Sequence, residues 1–180
     1  PELGAGRPRF GVMFQQGALF GSMTVGQNVA LMLERWTQLE ASAVRALTRA
    51  RLRLVGLEDA EHRLPDTLSG GMRKRAAIAR ALALEPRLMF LDEPSSGLDP
   101  ITSAEIDRLI MALSRGLGLT AVMVTHELSS ITSIVDRAIL IDPETRRIDG
   151  PDTPKALAAG GAPHVRQFFS RSIEPRAKEP

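Results

Sequence analysis

Apolar and polar positions follow a helical spacing in the first half of the chain. A short apolar run at residues 11–14 predicts a strand, and from about residue 24 to residue 84 the pattern is helical. One amphipathic segment contains Val25, Val29 and Leu33, and a second extends over residues 43–55 with arginines between its apolar positions. We therefore expect a largely helical region after a single strand.

Continuous apolar runs replace this spacing after residue 86. The runs at residues 88–91, 121–124 and 138–141 have the length of strands, and such runs are typical of strands buried on both faces of a sheet. A helical stretch at residues 103–117 separates the first two runs, which predicts a right-handed parallel crossover. The expected fold class is α/β, with a helical insertion followed by part of a parallel sheet.

Both ends of the chain are expected to be less regular. The first nine residues are rich in Gly and Pro and predict a loop, without an initiator Met or the basic and apolar regions of a signal peptide. A short helix near residues 155–159 and an amphipathic piece at residues 165–169 precede a charged end at 174–179, which we expect to be disordered.

Composition narrows the classes of function. The chain has no cysteine, which excludes disulfides and thiolate metal sites, and its 3 histidines are too scattered for a metal cluster. No apolar run approaches the length of about 18 residues that a membrane-spanning helix needs. A net charge of +2 and an aromatic content of 4% give little reason to expect nucleic acid as a partner.

Polar side chains follow two of the predicted strands directly. Asp92 and Glu93 end the first, and adjacent carboxylates there are costly unless they are paired or bind a cation. Asp92 could hold Mg²⁺ and Glu93 could polarise an attacking water, the alternative being an acidic turn that leaves the core. His126 follows the second strand and could donate to a phosphoryl group, or it could be a structural boundary histidine.

A serine and two glycines precede a basic helix. Ser69 is a favourable N-cap, and Gly70 and Gly71 leave backbone N–H groups uncovered, which suits phosphate binding; a capped helix after a glycine turn is the alternative. We interpret the basic side chains of this helix as a solvated face, because a nucleic-acid surface needs a larger basic stripe with aromatic residues. Those side chains are Arg73, Lys74, Arg75 and Arg80.

The order of these motifs resembles that of the ABC ATPase family. Ser-Gly-Gly, Asp-Glu-Pro, Ser-Gly-Leu-Asp and Thr-His-Glu follow one another, and the resemblance extends over nearly the whole chain. It implies the P-loop NTPase fold of ABC ATPases, with a helical subdomain at about residues 20–85 inserted before the signature motif. A RecA-like α/β part at 86–150 and a C-terminal extension at 151–180 would follow, and the N-terminal β-subdomain and P-loop are expected to be missing.

The resemblance implies that ATP and Mg²⁺ bind beside the strand ends. Residues 89–93 resemble the Walker B strand, so that Asp92 would position Mg²⁺ and Glu93 would activate the attacking water. His126 resembles the switch histidine, which would sense and stabilise the γ-phosphate. Gln15 resembles the start of the Q-loop, and would contact Mg²⁺ and the attacking water and couple the site to a permease.

The same resemblance implies a homodimer with head-to-tail arrangement. Residues 68–72 resemble the signature motif, so that Ser69, Gly70 and Gly71 would act on nucleotide held by the P-loop of the other subunit. Residues 96–99 resemble the D-loop, in which Asp99 would communicate across the dimer.

Two positions depart from the family pattern. The signature motif ends in Met72 where Gln is usual, and Met cannot donate a hydrogen bond; the ATPases of MCE-type transport systems share this Met. The P-loop pattern Gly-x-x-x-x-Gly-Lys-[Ser/Thr] does not occur, because Gly6 and Gly11 are followed by Val12 and Met13. The aromatic residue that stacks on adenine is missing as well, and we interpret both absences as truncation.

Two segments of the chain resemble the ATPases of Mla/MCE-type phospholipid transport systems of Gram-negative bacteria. They are residues 14–30 and residues 164–169. This implies a role in outer-membrane lipid asymmetry, integral-membrane permease subunits as partners, and MCE-domain and STAS-domain subunits as further candidates. It also implies a peripheral location on the cytoplasmic face of the inner membrane. Three alternatives stay open: another transport substrate, a non-transport ABC protein, and a P-loop-less chain that acts only as a binding partner.

Overall fold

The described residues form two compact units. The computed structural model describes residues 10–142 and 146–170, and the units divide these at residue 125. The expectations for residues 1–9, including Gly6, and for residues 174–179 lie outside the described residues. The predicted subdivision at about residues 20, 85 and 150 follows motifs rather than compactness and stays a prediction.

The first unit alternates strands and helices in the order that the sequence predicts. Its elements are β1 (Phe10–Met13), α1 (Val25–Trp36), α2 (Ala41–Leu54), α3 (Gly70–Ala81), β2 (Leu88–Asp92), α4 (Pro100–Leu117) and β3 (Thr120–Val124), with single 3₁₀ turns at Glu58–Ala60 and Pro65–Thr67. Among the helices of residues 10–142 and 146–170, none has the length and hydropathy needed to cross a membrane.

Local hydrogen bonds explain where several of these helices begin and end. Thr24 Oγ1 accepts from the Gln27 N–H at 3.2 Å, and Gln27 Oε1 accepts from the Thr24 N–H at 2.8 Å, which is a capping box at the start of α1. Gly118 ends α4 with a φ of 62°, a left-handed conformation that glycine adopts without steric cost.

A parallel three-stranded sheet in the order β1-β2-β3 organises the first unit. The predicted parallel crossover through α4 is therefore confirmed. One face of the sheet is covered, where α3 packs against β1 and α4 packs against β3. Met13, Met89 and Leu91 lie on this face and are at most 1% exposed, so the core of the unit lies between the sheet and these helices.

The opposite face of the sheet is exposed, which contradicts the prediction of strands buried on both faces. Phe90 is 39% exposed, Val122 43% and Val124 62%. The register of β2 and β3 places Phe90 beside Val122, and successive side chains of a strand point to opposite faces. The prediction is wrong for β2 and β3 because the helices of this unit leave those side chains uncovered.

The second unit contains a hairpin-like pair of strands and three helices. Its elements are α5 (Leu128–Ile134), β4 (Ala138–Ile141), β5 (Ile148–Asp152), α6 (Pro154–Gly160) and α7 (Pro163–Ser170). The predicted strand and the predicted short helix near residues 155–159 are confirmed, and the amphipathic piece at residues 165–169 lies within α7. The prediction of burial on both faces is again wrong, since β4 pairs antiparallel with β5 and leaves Ile139 52% and Ile141 65% exposed.

Candidate functional site

The carboxyl end of β2 presents two carboxylates, as the sequence predicts. Asp92 is the last residue of the strand, and its register partner is Val124 at the end of β3. Glu93 follows with a φ of 46°, its N–H donates to Val124 O at 2.9 Å, and its Oε2 accepts from the Thr125 hydroxyl at 3.4 Å. Both the main chain and the side chain of Glu93 are therefore attached to the end of the neighbouring strand.

A buried lysine joins Glu93 to the segment that follows β1. Lys74 Nζ donates to Gln15 O at 2.8 Å and to Glu93 O at 2.7 Å, and Lys74 is only 9% exposed. The structure thus brings the main chains of Gln15 and Glu93 to one ammonium group. The Gln15 side chain itself is exposed beside this contact.

The basic helix is for the most part not the solvated face that the sequence suggested. Arg73 is exposed, but Arg75 donates to Val55 O and pairs with Glu105 at 2.9 Å. Arg80 donates to Gly17 O at 3.0 Å and to Ala18 O at 2.5 Å, and burial lowers the pKa of its guanidinium below the usual value. The prediction is wrong for Lys74, Arg75 and Arg80 because their N–H groups donate hydrogen bonds to backbone carbonyls of other segments instead of to water.

The first turn of α3 is built from the predicted serine and glycines. Ser69 caps the helix, with its Oγ accepting from the Met72 N–H at 3.2 Å. A Cβ on Gly71 would lie 2.5 Å from Thr102 Cγ2, and a Cβ on Gly70 would lie 3.0 Å from Leu98 Cδ2. Close packing against the start of α4 therefore requires a very small residue at position 71, whatever the turn binds.

Asp99 caps α4. Its Oδ1 accepts from the N–H groups of Ile101 and Thr102 at 3.1 and 3.0 Å, and its Oδ2 accepts from the Thr102 hydroxyl at 2.6 Å. The Thr102 hydroxyl, followed by the Thr102 and Ile101 N–H groups, lowers the pKa of Asp99. This side chain has a full structural role within one chain, and its role across a dimer stays a prediction.

A cavity of about 250 Å³ lies within the first unit where three segments meet. Gln15 follows β1, Gly70 and Lys74 belong to α3, and Ser96 follows β2, and all four line this cavity. The cavity thus brings Gln15 and Gly70 together. His126 is the first residue of the second unit, where it lines a separate pocket with residues 127–129 and Phe168, and its predicted role is not tested by this geometry.

Asn28 is a further residue of the site region that the sequence analysis missed. It is fully buried, its Oδ1 accepts from the Phe20 N–H at 2.8 Å, and its Nδ2 donates to the carbonyls of Phe20, Met23 and Thr24 at 3.0–3.1 Å. It therefore fixes the segment between β1 and α1. An amide among the apolar positions of an amphipathic helix is the signal that could have found it.

The end of β2 has the donor chemistry of a magnesium site with few protein ligands. Asp92 offers a carboxylate, and residues 10–142 and 146–170 contain no group of three or more acidic or histidine side chains placed to hold a metal ion. Mg²⁺ commonly binds through one or two carboxylates and completes its shell with water and phosphate oxygens. The P-loop pattern that would hold the phosphates does not occur in the 180 residues.

Comparison with known proteins places the chain in a family. A family model described as ABC transporter matches residues 2–96, which is more than half of the chain. The chain belongs to the ABC transporter family. A solved dimeric structure of MJ0796, a bacterial ABC transporter cassette, is 33% identical, with a TM-score of 0.65 over 72% of this chain and 57% of that chain. The P-loop NTPase fold of ABC ATPases, predicted from the order of motifs, is confirmed.

Curated ABC transporter relatives resemble most of this chain. It is 45% identical over 164 residues to the intermembrane phospholipid transport system ATP-binding protein MlaF of Escherichia coli (strain K12), covering 91% of this chain and 60% of MlaF. It is 40% identical over 170 residues to the probable ribonucleotide transport ATP-binding protein mkl of Mycobacterium leprae, covering 94% of this chain and 48% of mkl. The chain thus spans about half to three fifths of the length of these relatives.

Proposed function

We propose that this chain is part of an ATP-hydrolysing subunit that powers phospholipid transport. The observation that supports hydrolysis best is the attachment of Glu93 at three points: its N–H to Val124, its carbonyl to Lys74 and its carboxylate to Thr125. A general base must be held in a fixed geometry to polarise water. The 45% identity to MlaF supports phospholipid as the transported substrate.

The proposed roles at the nucleotide follow from the end of β2. Asp92 would hold Mg²⁺ through its carboxylate, and Glu93 would accept a proton from the attacking water. Gln15 contacts the same water and relays the state of the site to permease subunits, and His126 donates a hydrogen bond to the γ-phosphate. These side chains supply positioning and electrostatic stabilisation, which account for most of the catalysis of phosphoryl transfer.

The proposed assembly is a head-to-tail homodimer, for which the dimeric cassette structure offers precedent. Ser69, Gly70 and Gly71 present the amides of the first turn of α3 to nucleotide bound by the other subunit, and Asp99 lies beside them at the start of α4. Permease subunits, with MCE-domain and STAS-domain subunits as further partners, place the assembly on the cytoplasmic face of the inner membrane.

Glu93→Gln tests the proposed base in the protein that contains this chain. We expect kcat for ATP hydrolysis to fall by about 100-fold or more, because the amide cannot accept the proton of water, while ATP binding and ATP-dependent dimers persist. Glu58→Gln, at an exposed position of a 3₁₀ turn, is the matched control and should hydrolyse ATP normally. A kcat within about threefold of wild type in Glu93→Gln would exclude the role as base.

A ribonucleotide substrate is a second candidate, favoured by the 40% identity to mkl. The protein reconstituted with its permease in vesicles separates the two. ATP-dependent movement of labelled phospholipid between membranes supports the first proposal. ATP-dependent ribonucleotide uptake without lipid movement would replace phospholipid by ribonucleotide and leave the ATPase proposal intact.

A further inference from the structure

Lys74 is a charged side chain inside the protein with acceptors from two distant parts of the chain. Burial of an ammonium group is costly unless its protons are donated to acceptors. Its acceptors include carbonyl oxygens 59 residues before it and 19 residues after it, at Gln15 and Glu93. Because both are main-chain atoms, Lys74 fixes the path of the backbone at these two positions.

One of those two positions has an unusual backbone conformation. Glu93 has a φ of 46°, a left-handed value that residues with a Cβ adopt at a cost and only where the surroundings enforce it. Its N–H is held by Val124 O at 2.9 Å and its carbonyl by Lys74 Nζ at 2.7 Å. The same carbonyl also accepts from the Ser96 N–H at 3.4 Å. Lys74 is therefore one of the anchors of the main-chain conformation that directs the Glu93 side chain, and it is the one that comes from another helix.

Lys74 belongs to the helix that carries the proposed phosphate-binding turn. It lies five residues after the N-cap Ser69 on α3, and Arg80 of the same helix donates to the carbonyls of Gly17 and Ala18. Helix α3 is thus attached to the segment after β1 through two cations and to Glu93 through Lys74. A movement of the first turn of α3 must move these hydrogen bonds or break them.

We infer that Lys74 is a positioning residue that links the phosphate-binding turn of α3 to the general base Glu93 of the same chain. The inference rests on the proposed function. In the proposed dimer the turn at Ser69 serves the nucleotide of one site, while Glu93 serves the nucleotide of the other. Lys74 therefore transmits closure of the dimer at one site to the alignment of Glu93 at the second, and hydrolysis at the two sites becomes cooperative.

Lys74→Met and Lys74→Gln test this link in the protein that contains the chain. Met keeps the length but donates nothing, and we expect kcat to fall about 100-fold because a small misplacement of a catalytic group has an effect of this size. KM for ATP should change less than about threefold, and the Hill coefficient for ATP should fall toward 1. Gln retains two donors and should recover part of both kcat and cooperativity.

Arg75→Met is the matched structural control. Arg75 is the next residue on α3, and its guanidinium donates to the carbonyl of buried Val55 and to the exposed carboxylate of Glu105, while neither Gln15 nor Glu93 is among its partners. The rate of amide hydrogen exchange at residues 16–17 and 93–96 should be higher in Lys74→Met than in wild type. In Arg75→Met it should be unchanged at these residues. Arg75→Met should keep its kcat and Hill coefficient even if its unfolding midpoint falls.

The outcomes separate this inference from the proposed function. If wild type hydrolyses ATP, Glu93→Gln does not, and Lys74→Met keeps its kcat and cooperativity, the link is wrong and the proposed function stands. A parallel loss of kcat in Lys74→Met and Arg75→Met, in proportion to lost stability, also overturns the link. A wild type that hydrolyses no ATP, or an active Glu93→Gln, overturns the proposed function and the link with it.

Discussion

The carboxylate of Asp99 accepts three hydrogen bonds from the first turn of α4 although the residue is exposed to solvent. A side-chain oxygen at this position satisfies N–H groups that have no partner within the helix, and a negative charge is favoured at the helix N-terminus. The sequence motif that suggested communication across a dimer is thus also a cap, and a single substitution would disturb both roles. The pH dependence of the free energy of unfolding measures the contribution of the cap separately from any role in a dimer.

Stability should depend on Asp99 at low pH. Because the folded-state pKa is lowered, chiefly by the Thr102 hydroxyl, the charged form contributes stability above the unfolded pKa of about 4, and this contribution is lost as pH falls through the folded pKa. Asp99→Asn keeps a side-chain oxygen but does not titrate. Urea unfolding midpoints of wild type and Asp99→Asn should differ above about pH 5 and converge as the pH falls through the folded-state pKa of Asp99.

Thr102→Val is the control for this pH dependence. It removes the hydroxyl that contributes most to the lowered pKa of Asp99 and leaves the two N–H donors. The free energy of unfolding of Thr102→Val should therefore fall less than that of wild type as the pH is lowered from about 5. Parallel curves for wild type and Asp99→Asn over the whole range would show that the carboxylate is not held by the cap.

Some residue positions could be predicted from the sequence and others could not. The order of motifs was enough to place Asp92 and Glu93 at the end of a strand and Ser69 at the start of a helix, since both follow from local pattern. The burial of Lys74 was not predictable in this way. A basic helix usually faces water, and only the tertiary fold shows that the carbonyls of Gln15 and Glu93 meet its ammonium group.

At the scale of elements, periodicity predicted most helices and strands, although not α5 and β5, and it did not predict which faces are covered. The bounds of α2 and α4 agree with the predicted helices to within a few residues, because glycines with positive φ, Gly56 and Gly118, follow their ends and Asp99 caps the start of α4. The partner of β4 was not predictable, since a continuous apolar run of four residues fits a buried parallel strand as well as an exposed antiparallel one. The packing between elements therefore has to be tested by substitutions at the contacts themselves.

Two glycines offer the same substitution in opposite surroundings. A Cβ on Gly11 of β1 would lie 2.3 Å from Ala81 O at the end of α3, whereas a Cβ on Gly116 of α4 would meet nothing within 4 Å. Gly11→Ala must push α3 away from the sheet and should lower the free energy of unfolding by about 1–3 kcal/mol. Gly116→Ala should raise it by up to about 1 kcal/mol, because alanine favours the helix.

Urea unfolding of the two alanine variants beside wild type checks this pair. Opposite signs of the two changes would confirm that α3 packs directly on the main chain of β1. If Gly11→Ala were as stable as wild type, α3 would not pack as closely on the main chain of β1 as the structure shows. The hydrogen bond from Lys74 of α3 to Gln15, which follows β1, depends on the same packing and would then be in question.

At the scale of the whole molecule, one face of the parallel sheet is exposed in the part of the chain that the structure describes. Phe10 and Phe90 stand edge to face on it with ring centroids 5.9 Å apart, and Val122 and Val124 continue the same apolar surface. Parallel sheets are normally covered on both faces, and contiguous apolar patches of more than a few hundred Å² are uncommon on monomers. An uncovered face of this kind should bind other apolar surfaces.

The 180-residue chain on its own should therefore associate with itself and bind an apolar fluorescent dye. Val122→Thr combined with Val124→Thr should reduce both effects. Threonine keeps the β-branched shape of valine but has a hydroxyl, which is better solvated by water, in place of one methyl group. Ile101→Thr is the control, since Ile101 is 73% exposed but lies on α4, away from the sheet. Light scattering and dye fluorescence at several protein concentrations measure the outcome.

Equal effects of the double variant and the control would mean that exposed apolar area in general drives association. A larger effect of the double variant would assign association to the sheet face, because only that substitution changes it.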